Sequence, residues 1–322
     1  MKNVLITGIT GQDGVFLTSE ILKNNPNLNI FGTTRKKNEN NFYFKLNQIT
    51  NRELGRVNLI NIDLTNPHEV TKFIGEIKPI SVYNLSGPSS VYKSFENSRK
   101  TKFVINNIFD NLTDAIIKNK VFSYFYQASS SEMFGVQTKF TLDENCNFNP
   151  NSPYAEAKLE CHKKILKLSE KYDWRIYSGI MFNHESEFRE NEYLFMKIIN
   201  GALNIKNGKL KKLKIGSLDY VRDWSYAGDV CKAIYAITNF GTSNSYVIGS
   251  GIGNSIKDLV EIVFSRFNLD FNNYLDIDQK LIRKGDPKII IANPKKIKDE
   301  LKWTNKIDFE KLVNICIDSK VN

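Results

Sequence analysis

The chain has 322 residues, 41% of them apolar, which is enough for a sizeable core and, at roughly 150 residues per domain, for about two domains. With 25% charged residues, a mean hydropathy of -0.36 and no apolar run near the roughly 20 residues a bilayer demands, a membrane-spanning chain is excluded. The 45 Lys and Arg against 35 Asp and Glu leave a net charge of +10, which suits a polyanionic ligand, an anionic surface or nucleic acid, or reflects the Lys-, Asn- and Ile-rich usage of the source genome.

The opening MKNVLITGITGQDG enters a Gly-rich turn after an apolar stretch too short for a signal peptide, so the mature chain is expected to start here. Short β-rich runs then alternate with helical patterns. NVLIT (3–7) precedes a helix from about 13, NIFGTT (29–34) follows, and VNLINI (57–62) precedes a helix from Pro67, with Thr65 or Asn66 as its cap. ISVYNL (80–85) leads to a long helix near 100–118, FSYFYQAS (122–129) to a helix near 153–171, and RIYSGIMF (175–182) closes the series. This is the pattern of a doubly wound, parallel α/β sheet of Rossmann type. Beyond about 183 the pattern is irregular: a Lys-rich loop (206–214), a strand-like YVIG (246–249), and helices near 226–238, 255–266 and 308–319. The expectation is a Rossmann domain over 1–182 and a smaller C-terminal α/β substrate-binding lobe mainly over 183–322, with the chain crossing between them.

Four widely spaced cysteines, Cys146, Cys161, Cys231 and Cys316, and three histidines offer neither a disulfide framework nor a metal site, and a reducing, cytoplasmic setting is expected. The basic cluster 206–214 lacks interleaved aromatics, so no nucleic-acid partner is expected.

Chemistry should follow the strands. Gly8, Thr10, Gly11, Gln12, Asp13 and Gly14 lie between the first strand and its helix, where glycines let backbone N–H groups approach a pyrophosphate at a helix N-terminus. A purely structural turn would also use three glycines. The second strand ends in Thr33-Thr34-Arg35-Lys36-Lys37, cations without a carboxylate, which favours NADP over NAD with Arg35 on the 2′-phosphate. Asp63 and Leu64, after the third strand, are placed to touch the adenine. Tyr154 and Lys158 stand one helical turn apart on one face, and the ammonium is expected to lower the phenol's pKa and make it a base. The serine run Ser129 to Ser131, with Glu132, lies at the end of the strand FSYFYQAS; it suits an ordinary polar loop, but also a hydroxyl that binds the reacting oxygen beside a carboxylate that moves a second proton.

ITGITGQDG (6–14), YQASSSEMFG (126–135), NPNSPYAEAKLE (149–160), MFNHES (181–186), RDW (222–224) with Ala227 and Asp229, and ANPKKIKDELKW (292–303) together resemble the extended short-chain dehydrogenase/reductase family, and within it the GDP-mannose 4,6-dehydratases. The resemblance implies catalytic roles for Ser130, Glu132, Tyr154 and Lys158, a tightly bound NADP regenerated each turnover, and a homodimer or homotetramer formed through the helices near 100–118 and 153–171. It also implies GDP-sugar contacts at Asn183, Lys197, Arg222, Arg283 and Asp286. Lys197 and Arg222 equally suit a surface or interlobe ion pair, and His184 reads as a packed structural histidine. Two segments depart from the family pattern, NLSGPSSVYKSFENS (84–98) and SEFRENEYLFMKI (186–198), so a related sugar such as a GDP-manno-heptose joins GDP-mannose as substrate. A nucleotide-sugar 4-epimerase or decarboxylase is the alternative within the same family.

Overall fold

The computed structural model describes residues 2–35, 39–283 and 285–321. In chain order the elements are β1 (Lys2–Thr7), α1 (Gln12–Asn24), β2 (Leu28–Thr34), α2 (Glu39–Ile49), β3 (Val57–Asn61), α3 (Pro67–Ile77) and β4 (Ser81–Asn84). Helices α4 (Val91–Glu96) and α5 (Ser98–Lys118) lead to β5 (Tyr124–Ser130), β6 (Thr141–Leu142), α6 (Pro153–Tyr172) and β7 (Ile176–Met181). After one residue come β8 (Asn183–Glu185), then α7 (Leu194–Lys206), β9 (Leu213–Ile215), β10 (Val221–Tyr226), α8 (Ala227–Phe240) and β11 (Ser245–Ile248). The chain ends with β12 (Gly253–Ser255), α9 (Ile256–Arg266), β13 (Leu275–Ile277), β14 (Ile289–Ala292), α10 (Lys295–Leu301) and α11 (Phe309–Val321).

Seven strands form one parallel sheet in the order β11-β7-β5-β4-β1-β2-β3. Strands buried on both faces need no polar alternation, and β7, Ile-Tyr-Ser-Gly-Ile-Met, is buried at every residue. One face is covered by α1 and α8, whose Val15, Leu17, Val230 and Ile234 share a core, and the other by α3, α5 and α6. The strand order reverses between β1 and β4, which opens a crevice beyond their carboxyl ends. Side chains tie those ends together. Thr7 Oγ1 donates to Asn84 Oδ1 (2.7 Å) and Asn84 Nδ2 to Gln127 Oε1 (2.7 Å).

A second sheet, β12-β10-β14-β6 with β8 on β10, packs against α7, α9 and α11. The chain crosses both ways. Residues 141–142 join the second sheet, and 245–248 return to the edge of the first. Caps follow the sequence chemistry. Asn66 accepts from the N–H groups of His68 and Glu69 ahead of α3, and Ser152 accepts from Ala155 N (3.1 Å) at the start of α6, each followed by Pro. The sequence-based pattern lacks the helices α2, α4, α7 and α10, the strand β10 and the short strands β6, β8, β9, β12, β13 and β14. The Lys-rich loop is the connection between α7 and β9, which turns at Gly208 (φ 67°).

Candidate active site

The turn after β1 is built by two glycines. Gly8 adopts φ 68°, and a side chain at Gly14 would meet the Ile9 carbonyl at 2.3 Å. Gly11 occupies the N-cap of α1 without a side-chain cap, so the first-turn N–H groups face the crevice with the positive end of the helix dipole. Gln12 accepts from Ser186 Oγ (2.8 Å) and donates to the His184 carbonyl (3.2 Å), locking this turn to the segment that leaves β7. A pyrophosphate cradle fits here. Arg35, Asp63 and Leu64 lie apart from the catalytic end, after β2 and β3. Asp63 Oδ1 accepts from Thr65 N and Oγ1, which with nearby Arg35 lowers its pKa, while the Leu64 side chain is buried. Lys36 and Lys37 lie outside the described residues.

A cleft of about 580 Å³ opens beyond the carboxyl ends of the large sheet and is lined by Ser130, Glu132, Tyr154 and Lys158. Asn183, Lys197, Arg222, Arg283 and Asp286 line the same cleft, as does Asp13. Residues drawn from Asp13 to Asp286 therefore meet in one place. Ser130 ends β5, where its Oγ accepts from Glu132 N (3.2 Å) and starts the 3-10 turn Ser131–Phe134 that aims Glu132 into the cleft. Ser152 and Pro153 set the first turn of α6 that carries Tyr154.

The electrostatics correct one expectation. Tyr154 is not held below the usual phenol range: burial pushes its pKa well up, the Glu132 charge adds to this, and a bond from Ser130 opposes it. Lys158 is itself desolvated, to a pKa of about 8, and spends its Nζ on the Ala128 carbonyl (2.7 Å), 5.6 Å from the Tyr154 ring centre. Its charge therefore faces the end of β5 as much as the phenol.

Arg222 is an ion-pair partner as well as a cleft residue. Its Nη2 meets Asp286 Oδ1 at 2.8 Å, and Arg283 Nη2 reaches the same oxygen at 2.7 Å. Arg283 Nη2 also lies 3.5 Å from Glu132 Oε1, so a row of alternating charges runs from the second sheet to the end of β5. The Asn151 amide donates to the Gly285 carbonyl and pins this loop beside α6. The arrangement offers guanidinium and ammonium groups for a diphosphate at one end, and a hydroxyl, phenol and carboxylate for proton transfer at the other.

His184 is more than packed. Its Nε2 pairs with Asp13 Oδ2 (3.1 Å); the imidazole pKa is raised, and although burial alone would raise the Asp13 carboxyl, His184 outweighs it and holds that group at about 2. Two carboxylates from the family-like motifs have structural partners instead. Asp223 accepts from the N–H groups of Ser250 (2.8 Å), Gly251 (2.8 Å) and Ala292 (3.1 Å), and Asp229 from those of Lys306 (2.7 Å) and Ile307 (2.9 Å). Sequence reasoning missed Ser89, Arg189, Glu192 and Tyr193, which also line the cleft. No periodicity marks them; their two segments stood out only as departures from the family pattern.

The protein-family signature described as GDP-mannose 4,6 dehydratase matches residues 5–316. A relative from Arabidopsis thaliana, GDP-mannose 4,6 dehydratase 2, is 33% identical over 325 residues, spanning 98% of this chain and 86% of the relative. Among solved structures, dTDP-glucose 4,6-dehydratase from Bacillus anthracis in complex with NAD matches with a TM-score of 0.84 at 19% identity, covering 100% of this chain and 97% of that one. UDP-glucose 4-epimerase from Thermotoga maritima with UDP-glucose matches at 0.85 and 19%, covering 99% and 98%. Likeness at that identity establishes the fold, and a dehydratase and an epimerase share it equally.

Proposed function

The chain belongs to the GDP-mannose 4,6-dehydratase family, and from that premise we propose that it removes water from GDP-mannose, or a close relative such as a GDP-manno-heptose, giving the GDP-4-keto-6-deoxy sugar. The observation that carries this reading is the meeting of Ser130, Glu132, Tyr154 and Lys158 with Lys197, Arg222 and Arg283 in one cleft. An epimerase has no use for the second acid/base, and Glu132 is aimed into the cleft by its own 3-10 turn.

NADP fits the residues present: the glycine turn of Gly8, Gly11 and Gly14 for the pyrophosphate, with Thr10, Gln12 and Asp13 in the same turn, Arg35 for the 2′-phosphate, Asp63 and Leu64 toward the adenine, and Tyr154 and Lys158 at the catalytic end. When bound it supplies a reversible hydride acceptor. Tyr154 takes the proton of the sugar 4-hydroxyl, with Ser130 holding that oxygen. The resulting ketone acidifies the C5 hydrogen, which Glu132 removes before protonating the departing 6-hydroxyl. Each such positioned proton transfer contributes about 10²–10⁴ in rate. Asn183, Lys197, Arg222 and Arg283 hold the nucleoside diphosphate, and Asp286 sets the two arginines.

The chain is read further as a cytoplasmic homodimer or homotetramer. Support for association comes from Phe103 on α5, a large apolar side chain that is 60% exposed. Light scattering of the purified protein decides between the two states. The function is tested by mass spectrometry of products from GDP-mannose and from a GDP-manno-heptose with catalytic NADP. Loss of one water from either supports a 4,6-dehydratase, and unchanged mass with altered sugar stereochemistry would return the epimerase.

A further inference from the structure

Two chain segments that line the cleft meet each other. The first follows β4 on the large sheet and carries Ser89 and Lys93; the second, between β8 and α7, carries Arg189, Glu192 and Tyr193. The Tyr193 hydroxyl lies 2.6 Å from Ser89 Oγ, and Lys93 Nζ meets both Glu192 carboxylate oxygens at 2.8 and 2.6 Å. Ser89, Glu192, Tyr193 and Arg189 all line the cleft that holds Tyr154 and Glu132.

The Tyr193 ring has a further support. Arg189 stacks on it with the guanidinium carbon 3.5 Å from the ring centre, and Arg189 Nε lies 2.9 Å from the buried Glu185 carboxylate of β8. A guanidinium over a tyrosine face, itself anchored by a buried acid, fixes the ring at low entropic cost. From Glu185 through Arg189 and Tyr193 to Ser89, the contacts form a strut from the strand beside the His184–Asp13 pair to the opposite wall.

We propose that Tyr193 is a positioning residue whose bond to Ser89, seconded by Lys93–Glu192, clasps the cleft shut over the oxidised sugar and retains it until dehydration and hydride return are complete. The proposal rests on the dehydratase reading, whose chemistry creates the need. With NADP bound as hydride acceptor, oxidation at C4 would pass the hydroxyl proton to Tyr154 and the hydride to the cofactor, leaving a free ketone. A ketone that escapes at this stage strands the enzyme with reduced cofactor. One hydroxyl bond and one exposed ion pair are each weak, so the clasp opens every turnover. The rigid part is the Arg189-stacked ring.

The test uses NADP-loaded protein with GDP-mannose. Two quantities are followed: the fraction of enzyme left with reduced cofactor, by nicotinamide absorbance, and escaped ketone, recognised by mass as substrate less one hydrogen molecule with its oxygen count unchanged. Tyr193→Phe and Ser89→Ala are each expected to raise this partition about three- to tenfold, the scale of one lost hydrogen bond. The first oxidation rate should stay within about twofold, and the double variant should be no worse than either single one, since both remove the same bond. Lys93→Glu and Glu192→Lys should raise escape singly and restore retention together. Wild-type partition in the single variants, or additive effects in the double, overturns the clasp. A wild type that dehydrates neither GDP-mannose nor a GDP-manno-heptose overturns the functional reading instead, and hydrogen exchange of NADP-bound protein then judges the clasp. Faster exchange in both 86–93 and 189–193 in Tyr193→Phe supports it; unchanged exchange overturns it.

Discussion

His184 Nε2 lies 3.1 Å from Asp13 Oδ2, so the segment that carries the chain from the large sheet to the second one is pinned by charge to the first turn of α1. Both side chains are mostly shielded from solvent and both line the cleft. The contact joins the pyrophosphate turn to the wall where the sugar nucleotide is proposed to lie.

The pair makes stability depend on pH with a definite sign. His184 has a raised pKa in the fold, so its contribution is complete below the unfolded value of about 6.5 and fades as pH climbs through the raised one. Asp13, held at about 2, stays ionised over that whole range. His184→Gln should cost about 2 kcal/mol near pH 5.5, the scale of one hydrogen bond to a charged group, and progressively less toward pH 9. Thermal midpoints of both proteins across that range provide the check. A difference that does not change with pH would show that the imidazole carries no charge in the fold.

Glu132 carries the step that separates dehydration from simple oxidation. Glu132→Gln should lower dehydration by about 10²–10⁴ while oxidation at C4 continues, because the amide keeps the size and loses the base. Exchange of the C5 hydrogen with deuterated water, read by mass, isolates the step. Full turnover with normal C5 exchange would remove Glu132 from the mechanism.

Much of the fold was legible because a parallel sheet buried on both faces needs continuous β-rich apolar runs, and the large sheet has them. β10 was not, since Val-Arg-Asp-Trp-Ser-Tyr places two charges inside a strand. Arg222 and Asp223 are buried there and satisfied, one by Asp286 and the other by three backbone N–H groups, partners that exist only in the folded chain. α2 was hidden for another reason. Of its eleven residues only Phe42 and Leu46 are buried, too narrow a stripe to stand out among asparagines. In the site, Glu132, Tyr154 and Lys158 could be found by spacing and strand ends, whereas Ser130 was told apart from its neighbouring serines only by the family resemblance. The phenol's upward shift could not, because it depends on how deeply α6 buries Tyr154.

Arg35 is the cation at the end of β2 to which the 2′-phosphate is assigned. Arg35→Glu should weaken NADP by about tenfold to a hundredfold, the scale of a charge-assisted bond replaced by repulsion, with NAD much less affected. Calorimetric titration with each nucleotide tests this. An unchanged NADP preference would place the phosphate on other groups.

Lys158 has a pKa of about 8 in the fold against 10.5 unperturbed, and the cause is burial of its ammonium. Between those two values the unfolded chain binds a proton that the folded chain does not, so stability rises with pH across the window. Below it both states are protonated and the burial cost, about 3 kcal/mol at 1.36 kcal/mol per unit, is present in full. Wild type should therefore gain about that much over Lys158→Met between pH 8 and 10.5 in nucleotide-free protein, since other groups titrate alike in both and cancel. Denaturant unfolding at several pH values measures the difference. Turnover should fall above about pH 8 as the ammonium that bridges the end of β5 to α6 is lost. A stability difference flat across the window would mean that the ammonium keeps its proton in the fold, held there by more than the Ala128 carbonyl.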